Sequence, residues 1–100
     1  MNETPPFHSE LIPESAAALI DMYITGDGPY PILTNDSTGK RARITYATYR
    51  QENGTLTLHT RRGTFSIHAP NWVFMQPVLN QDLICIIPRH GTAKYTINLY

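Results

Sequence analysis

The side chains best equipped for chemistry in this chain are imidazoles and guanidiniums set at alternate positions in a β-like stretch. His59, Arg61, Thr64, Ser66 and His68 alternate with the apolar Leu56, Leu58, Phe65 and Ile67, and Arg41 and Arg43 stand two positions apart upstream. Guanidinium and imidazole N–H groups and hydroxyls donate hydrogen bonds to phosphate oxygens, and a two-stranded basic ribbon can track a nucleic-acid backbone. Arg41, Arg43, His59, Arg61, Arg62 and His68 are therefore the candidate contacts to nucleic acid or to another partner. Tyr49, Trp72, Tyr95 and Tyr100 would add base stacking where exposed. The plainer alternative is a solvated β face, on which threonine and arginine are ordinary occupants. Neither the aromatic signature of an RNA-recognition sheet nor a helix-turn-helix pair accompanies these residues.

A catalytic alternative uses the same positions. If His59 and His68 are diagonal neighbours they could serve as acid and base on a phosphodiester, with Arg61 or Arg62 stabilising the charged transition state. That would be a small, metal-independent, toxin-like endoribonuclease. No metal is expected, because Glu52 falls in a turn and Asp82 before another strand, where neither completes a ligand set. No cofactor motif is present either. His90-Gly91-Thr92 is one H-x-T triplet where phosphoesterases of that type need two, and Gly39-Lys40 lacks the earlier glycine of a phosphate loop and leads into a strand. Cys85, between isoleucines, reads as core filler in a reducing compartment.

The formal net charge of zero conceals a separation. Residues 1–36 hold Glu3, Glu10, Glu14, Asp21, Asp27 and Asp36 and no lysine or arginine, a balance of minus six. Residues 37–100 hold Lys40, Arg41, Arg43, Arg50, Arg61, Arg62, Arg89 and Lys94 against Glu52 and Asp82, a balance of plus six. Such asymmetry hints at a polyanionic partner. The competing reading is that the acidic segment packs beside the basic one and neutralises it within the monomer.

The elements that would carry these residues follow from periodicity. A hundred residues with 41% apolar content suit one globular domain. Residues 1–12, containing Pro5 and Pro6, read as an extended arm, and residues 13–100 as a single α+β domain. Pro13 opens a helix whose stripe is Ala16, Leu19, Ile20, Tyr23 and Ile24, with Gly26 as a left-handed stop. Tyr30–Leu33, interrupted by Pro31, is an edge strand at best, and Thr34–Gly39 a loop. From Arg41 the period becomes two, and Arg41–Tyr49, Thr55–Arg61, Thr64–His68, Trp72–Met75, Leu83–Ile87 and Lys94–Tyr100 read as strands, with Leu83–Ile87 central.

An Arg62-Gly63 turn would pair His59 with Ser66 and Leu58 with Ile67, giving one apolar and one polar face. Around Asn53-Gly54 an odd loop or a bulge is preferred, because it brings Ile44 and Tyr46 beside Leu56 and Leu58. The expected architecture is an N-terminal helix followed by a five- to six-stranded, strongly bent antiparallel sheet or small barrel, SH3/Sm-like or cystatin-like. No apolar run is long enough to cross a bilayer and the start has no basic signal region, so the expected setting is cytoplasmic and away from membranes. A terminal strand, Ile97–Tyr100, would offer an edge for a protein partner or a homodimer. The leading expectation is thus a non-enzymatic binding protein whose basic sheet face engages nucleic acid or a protein or nucleoprotein surface, as a regulator or inhibitor of phage, plasmid or defence-system type.

Overall fold

The computed structural model describes residues 8–26 and 30–99. They form one helix and an eight-stranded, wholly antiparallel sheet. In chain order the elements are β1 (His8–Leu11), α1 (Pro13–Thr25), β2 (Ile32–Asn35), β3 (Arg41–Arg50), β4 (Thr55–Thr60), β5 (Gly63–His68), a 3-10 turn (Ala69–Asn71), β6 (Trp72–Pro77), β7 (Leu83–Pro88) and β8 (Tyr95–Asn98). The strand order across the sheet is β1-β6-β7-β8-β2-β3-β4-β5, so β1 and β5 are its free edges. The α+β expectation holds. The sheet has more strands than the five or six expected and is not closed into a barrel.

The sheet bends at β3. The first half of this ten-residue strand pairs with β2 and the second half with β4, and a bulge separates Ile44 from Tyr46. A bulge adds local twist, and here it turns β4 and β5 back toward the β7–β8 part of the sheet. Phe65 of β5 consequently meets Tyr95 of β8, with ring centroids 4.6 Å apart. The core lies inside the fold. Ile44, Leu56, Leu58 and Ile67 face Phe74, Ile84, Ile86 and Ile97, and α1 packs on β3 through Ala16, Ala17 and Ile20, all of them buried.

Several local expectations need correction, each for a physical reason. The β4–β5 turn consists of Arg61 and Arg62, with Thr60 opposite Gly63, so His59 pairs with Thr64 and not with Ser66. A turn centred on Arg62-Gly63 would ask an arginine for positive φ. The observed turn leaves both arginines at negative φ and gives the unusual value, +131°, to Gly63. The slip is by two residues, so the faces are preserved and Leu56, Leu58, Phe65 and Ile67 still point inward.

The irregularity expected near Asn53-Gly54 lies instead inside β3, and the β3–β4 loop is an even four residues, Gln51–Gly54. Ile44 reaches the core as expected, but Tyr46 is 52% exposed, because past the bulge it is Ala47 and Tyr49 that sit opposite Leu58 and Leu56. Pro31 does not push its neighbours to an edge. It sits just before β2, where a missing N–H is harmless, and its carbonyl accepts from the Ile44 amide at 2.8 Å, leaving β2 between β8 and β3. Asn35 and Thr34 belong to β2 and not to the loop.

The terminal strand β8 is also interior, between β7 and β2, so it offers no edge, and Leu99 beyond it is buried with its amide bonded to the Asp82 carbonyl. Gly26 ends α1 in extended backbone, φ −80°, while Thr25 Oγ1 donates to the carbonyls of Asp21 and Met22 in the last turn. His8–Leu11 of the expected arm is strand β1, paired with β6; residues 1–7 of the arm, and Tyr100 of the expected terminal strand and stacking set, lie outside the described residues.

Candidate functional site

Two tight turns build the cationic end of the sheet. In the β2–β3 turn the Asn35 side chain accepts from the amides of Ser37 and Thr38, and Gly39, at φ +75°, donates to the Asn35 carbonyl at 2.7 Å. This presents Lys40 and Arg41 at the start of β3. In the β4–β5 turn the Thr60 hydroxyl donates to the Gly63 carbonyl at 2.7 Å and accepts from the Arg62 amide at 3.1 Å, so one side chain fixes the pair Arg61-Arg62. Because β2 to β5 run alternately up and down, both turns fall at the same end of the sheet. The Arg61 amide bonds to the Arg43 carbonyl at 3.1 Å, and the Asp36 amide to the Lys94 carbonyl at 3.1 Å, which draws Arg43 and Lys94 to the same place.

Lys40, Arg41, Arg43, Arg61, Arg62 and Lys94, six of the eight lysines and arginines in the chain, thus gather at one end, all exposed. Among the described residues the one ion pair is Arg50–Glu52, at 3.6 Å and at the opposite end of β3. Neither Glu10, Glu14 nor Asp21 pairs with any of the six; Glu3 and Asp27 lie outside the described residues. Asp36 is the acid at this end, and both its carboxylate oxygens accept from Thr96 Oγ1 at 3.0 Å. Arg43 lies over the Tyr30 ring, 5.1 Å from its centroid.

Of the residues singled out by sequence, Arg41, Arg43, Arg61 and Arg62 are therefore brought together. His59 stands beside them, next to the exposed Tyr46, with ring centroids 5.4 Å apart. His68 does not join. It pairs with Thr55 at the far end of the hairpin, four positions from the partner of His59, which is about 13 Å along the strand. The diagonal histidine pair that an acid–base reaction would need is not formed. Lys40 and Lys94, which are not among the candidate contacts read from the sequence, also belong to the cluster.

A cleft of about 210 Å³ opens between the two turns. Lys40, Arg41 and Arg62 stand round it, Leu33, Ala42, Phe65 and Tyr95 supply apolar walls, and no carboxylate of the described residues lines it. A second cleft of the same volume, near β1 and the 3-10 turn, has one acid, Glu10, and one cation, Arg89. The first is distinguished by its charge.

No three of the histidine, cysteine, aspartate and glutamate side chains among the described residues come together as a metal site. Cys85 lies outside the core on the outer face of β7, between Met75 and Thr96. Its thiol pKa is raised, first by desolvation and second by the Asp36 carboxylate, with Lys94 opposing. The neutral thiol is thereby favoured. Alkylation by iodoacetamide at mildly basic pH should run slower than that of a cysteine peptide blocked at both ends, and Asp36→Asn should narrow the gap; a faster rate would contradict this electrostatic reading. No described helix is long and apolar enough to cross a membrane.

No protein-family model, curated protein or solved structure matches the chain.

Proposed function

We propose that this is a binding protein that engages a nucleic-acid backbone through the cationic end of its sheet. The observation that carries the reading is the gathering of six exposed cations at one end of the sheet, in and beside two hydrogen-bonded turns, without ion pairs among the described residues. Arginines held on short turns meet phosphates with little loss of backbone entropy, and each neutralised phosphate releases counterions. The polarity of the chain assists: the described carboxylates of the amino-terminal third other than Asp36 lie on β1 and α1, and none of them pairs with a cation of the cluster. A small regulator or inhibitor acting on nucleic acid or on a nucleoprotein would need no more than this.

The experiment compares two double variants. Arg61→Ala with Arg62→Ala should weaken binding to an oligonucleotide and flatten its salt dependence by about 1.4–1.8 in log–log slope, two contacts' worth. His59→Ala with His68→Ala should leave affinity within about threefold, the scale of surface changes outside the main contacts. Loss of an RNA-cleaving activity in the histidine variant would instead favour the ribonuclease. A protein partner is a second reading, supported by Leu79 in the β6–β7 turn, 91% exposed, with Val78 beside it at 45%. It predicts no shift of either DNA or RNA at low salt.

A further inference from the structure

We infer that the cleft between the β2–β3 and β4–β5 turns receives one unstacked base of a single strand, so that the protein prefers single-stranded to duplex nucleic acid. This rests on the phosphate-binding reading above and adds to it the form of the ligand. The cleft joins two surfaces that a nucleotide needs together. At its rim Lys40, Arg41 and Arg62 are placed to meet phosphates, and within it Phe65 and Tyr95 present partly exposed rings 4.6 Å apart. A cation cluster meant for backbone alone would need no aromatic recess beside it.

Size narrows the occupant. At about 210 Å³ the cleft is smaller than the roughly 300–1,000 Å³ that encloses a drug-sized ligand. It holds one planar ring system and leaves the remainder of the ligand outside, as expected when the ligand is a polymer. Bases of a single strand can turn into such a recess and stack on its rings. Bases of a duplex are paired and stacked, and extracting one has a cost that the strand does not bear. Two contacts brace the recess: Thr60 bonds across the β4–β5 turn, and Tyr95 of β8 is backed by Trp72 at 5.7 Å between centroids, so little of it has to form on binding.

The test titrates the full chain with a short oligothymidylate, with the same strand annealed to oligodeoxyadenylate, and with thymidine monophosphate. The single strand should bind about tenfold to a hundredfold more tightly than the duplex and shift the ring-proton resonances of Phe65 and Tyr95. Ala42→Phe, which fills the recess from its wall while keeping every cation, should reduce single-strand affinity to the duplex level and leave the salt dependence of duplex binding unchanged. Should that variant fail to fold, the ring-proton shifts of the unaltered protein decide. Equal affinity for both forms with unshifted rings overturns the base-binding inference and leaves the phosphate reading standing. Thymidine monophosphate binding as tightly as the oligomer also overturns it, in favour of a small-molecule site. Binding of none of the three removes both readings.

Discussion

Reversing two charges, Arg41→Glu with Arg62→Glu, is expected to lower affinity for an oligonucleotide about a hundredfold or more at low salt. Both residues stand at the cleft and both are exposed, one at the start of β3 and the other in the β4–β5 turn. Each reversal removes an attraction and places a carboxylate against phosphate, and like-charge juxtaposition costs several kcal/mol. The bonds that form the two turns use the Asn35 and Thr60 side chains and main-chain groups, and no arginine side chain, so the substitutions leave the scaffold intact. Thermal unfolding should accordingly be unchanged to within about 0.5 kcal/mol, as for surface positions generally. Arg50→Glu, at the other end of β3, should weaken binding far less. Fluorescence anisotropy with a labelled oligonucleotide reads all three proteins, and equal affinities would show that the cationic end is not where the ligand sits.

The second large effect concerns the scaffold. Phe74 is 2% exposed and lies opposite Leu11 of β1 and Ile86 of β7, so it ties the sheet edge to the central strands. Phe74→Ala should destabilise the fold by about 3–5 kcal/mol through lost burial and the cavity left behind. Against a total of roughly 5–15 kcal/mol for a domain of ordinary stability, that brings the protein close to unfolding at room temperature. Leu79→Ala, removing a side chain that is 91% exposed, should change stability by less than about 0.5 kcal/mol. Urea denaturation of the two variants measures the contrast. Similar midpoints would mean that β1 and β6 contribute little to the cooperative core.

How much of this could be read from the residues depends on which interaction decides each feature. The helix stripe from Ala16 to Ile24 and the inward set Leu56, Leu58, Phe65 and Ile67 were legible because periodicity alone determines which side is apolar. Register was not, since a slip of two residues preserves both faces of the β4–β5 hairpin and only the backbone preference of Arg62 separates the alternatives. That slip is what parts His59 from His68. The bulge between Ile44 and Tyr46 was equally hidden: Ile44 and Ala47 are both apolar, and which residue is extruded depends on how β3 serves two partners at once.

The interior placement of β2 and β8 reflects long-range pairing, which no local pattern encodes. Pro31 looked like an edge signal but acts as a strand boundary. The cationic cluster was half legible. Arg41 and Arg43 were visible in the strand that begins at Arg41, and Arg61 and Arg62 at the end of the following strand and its turn, whereas Lys40 and Lys94 join them only because the β2–β3 turn, the β4–β5 turn and the start of β8 share one end of an antiparallel sheet. Tracking which turns fall at which end would have found both lysines from the strand order alone.

The dependence of affinity on salt counts neutralised phosphates directly. With Lys40, Arg41, Arg43, Arg61 and Arg62 each meeting one phosphate of a single strand, the logarithm of the association constant of the unaltered protein for labelled oligothymidylate should fall with the logarithm of salt concentration at a slope of about −3 to −4. A slope near zero, or no association even at the lowest salt, would contradict the assignment of these turns to a polyanion.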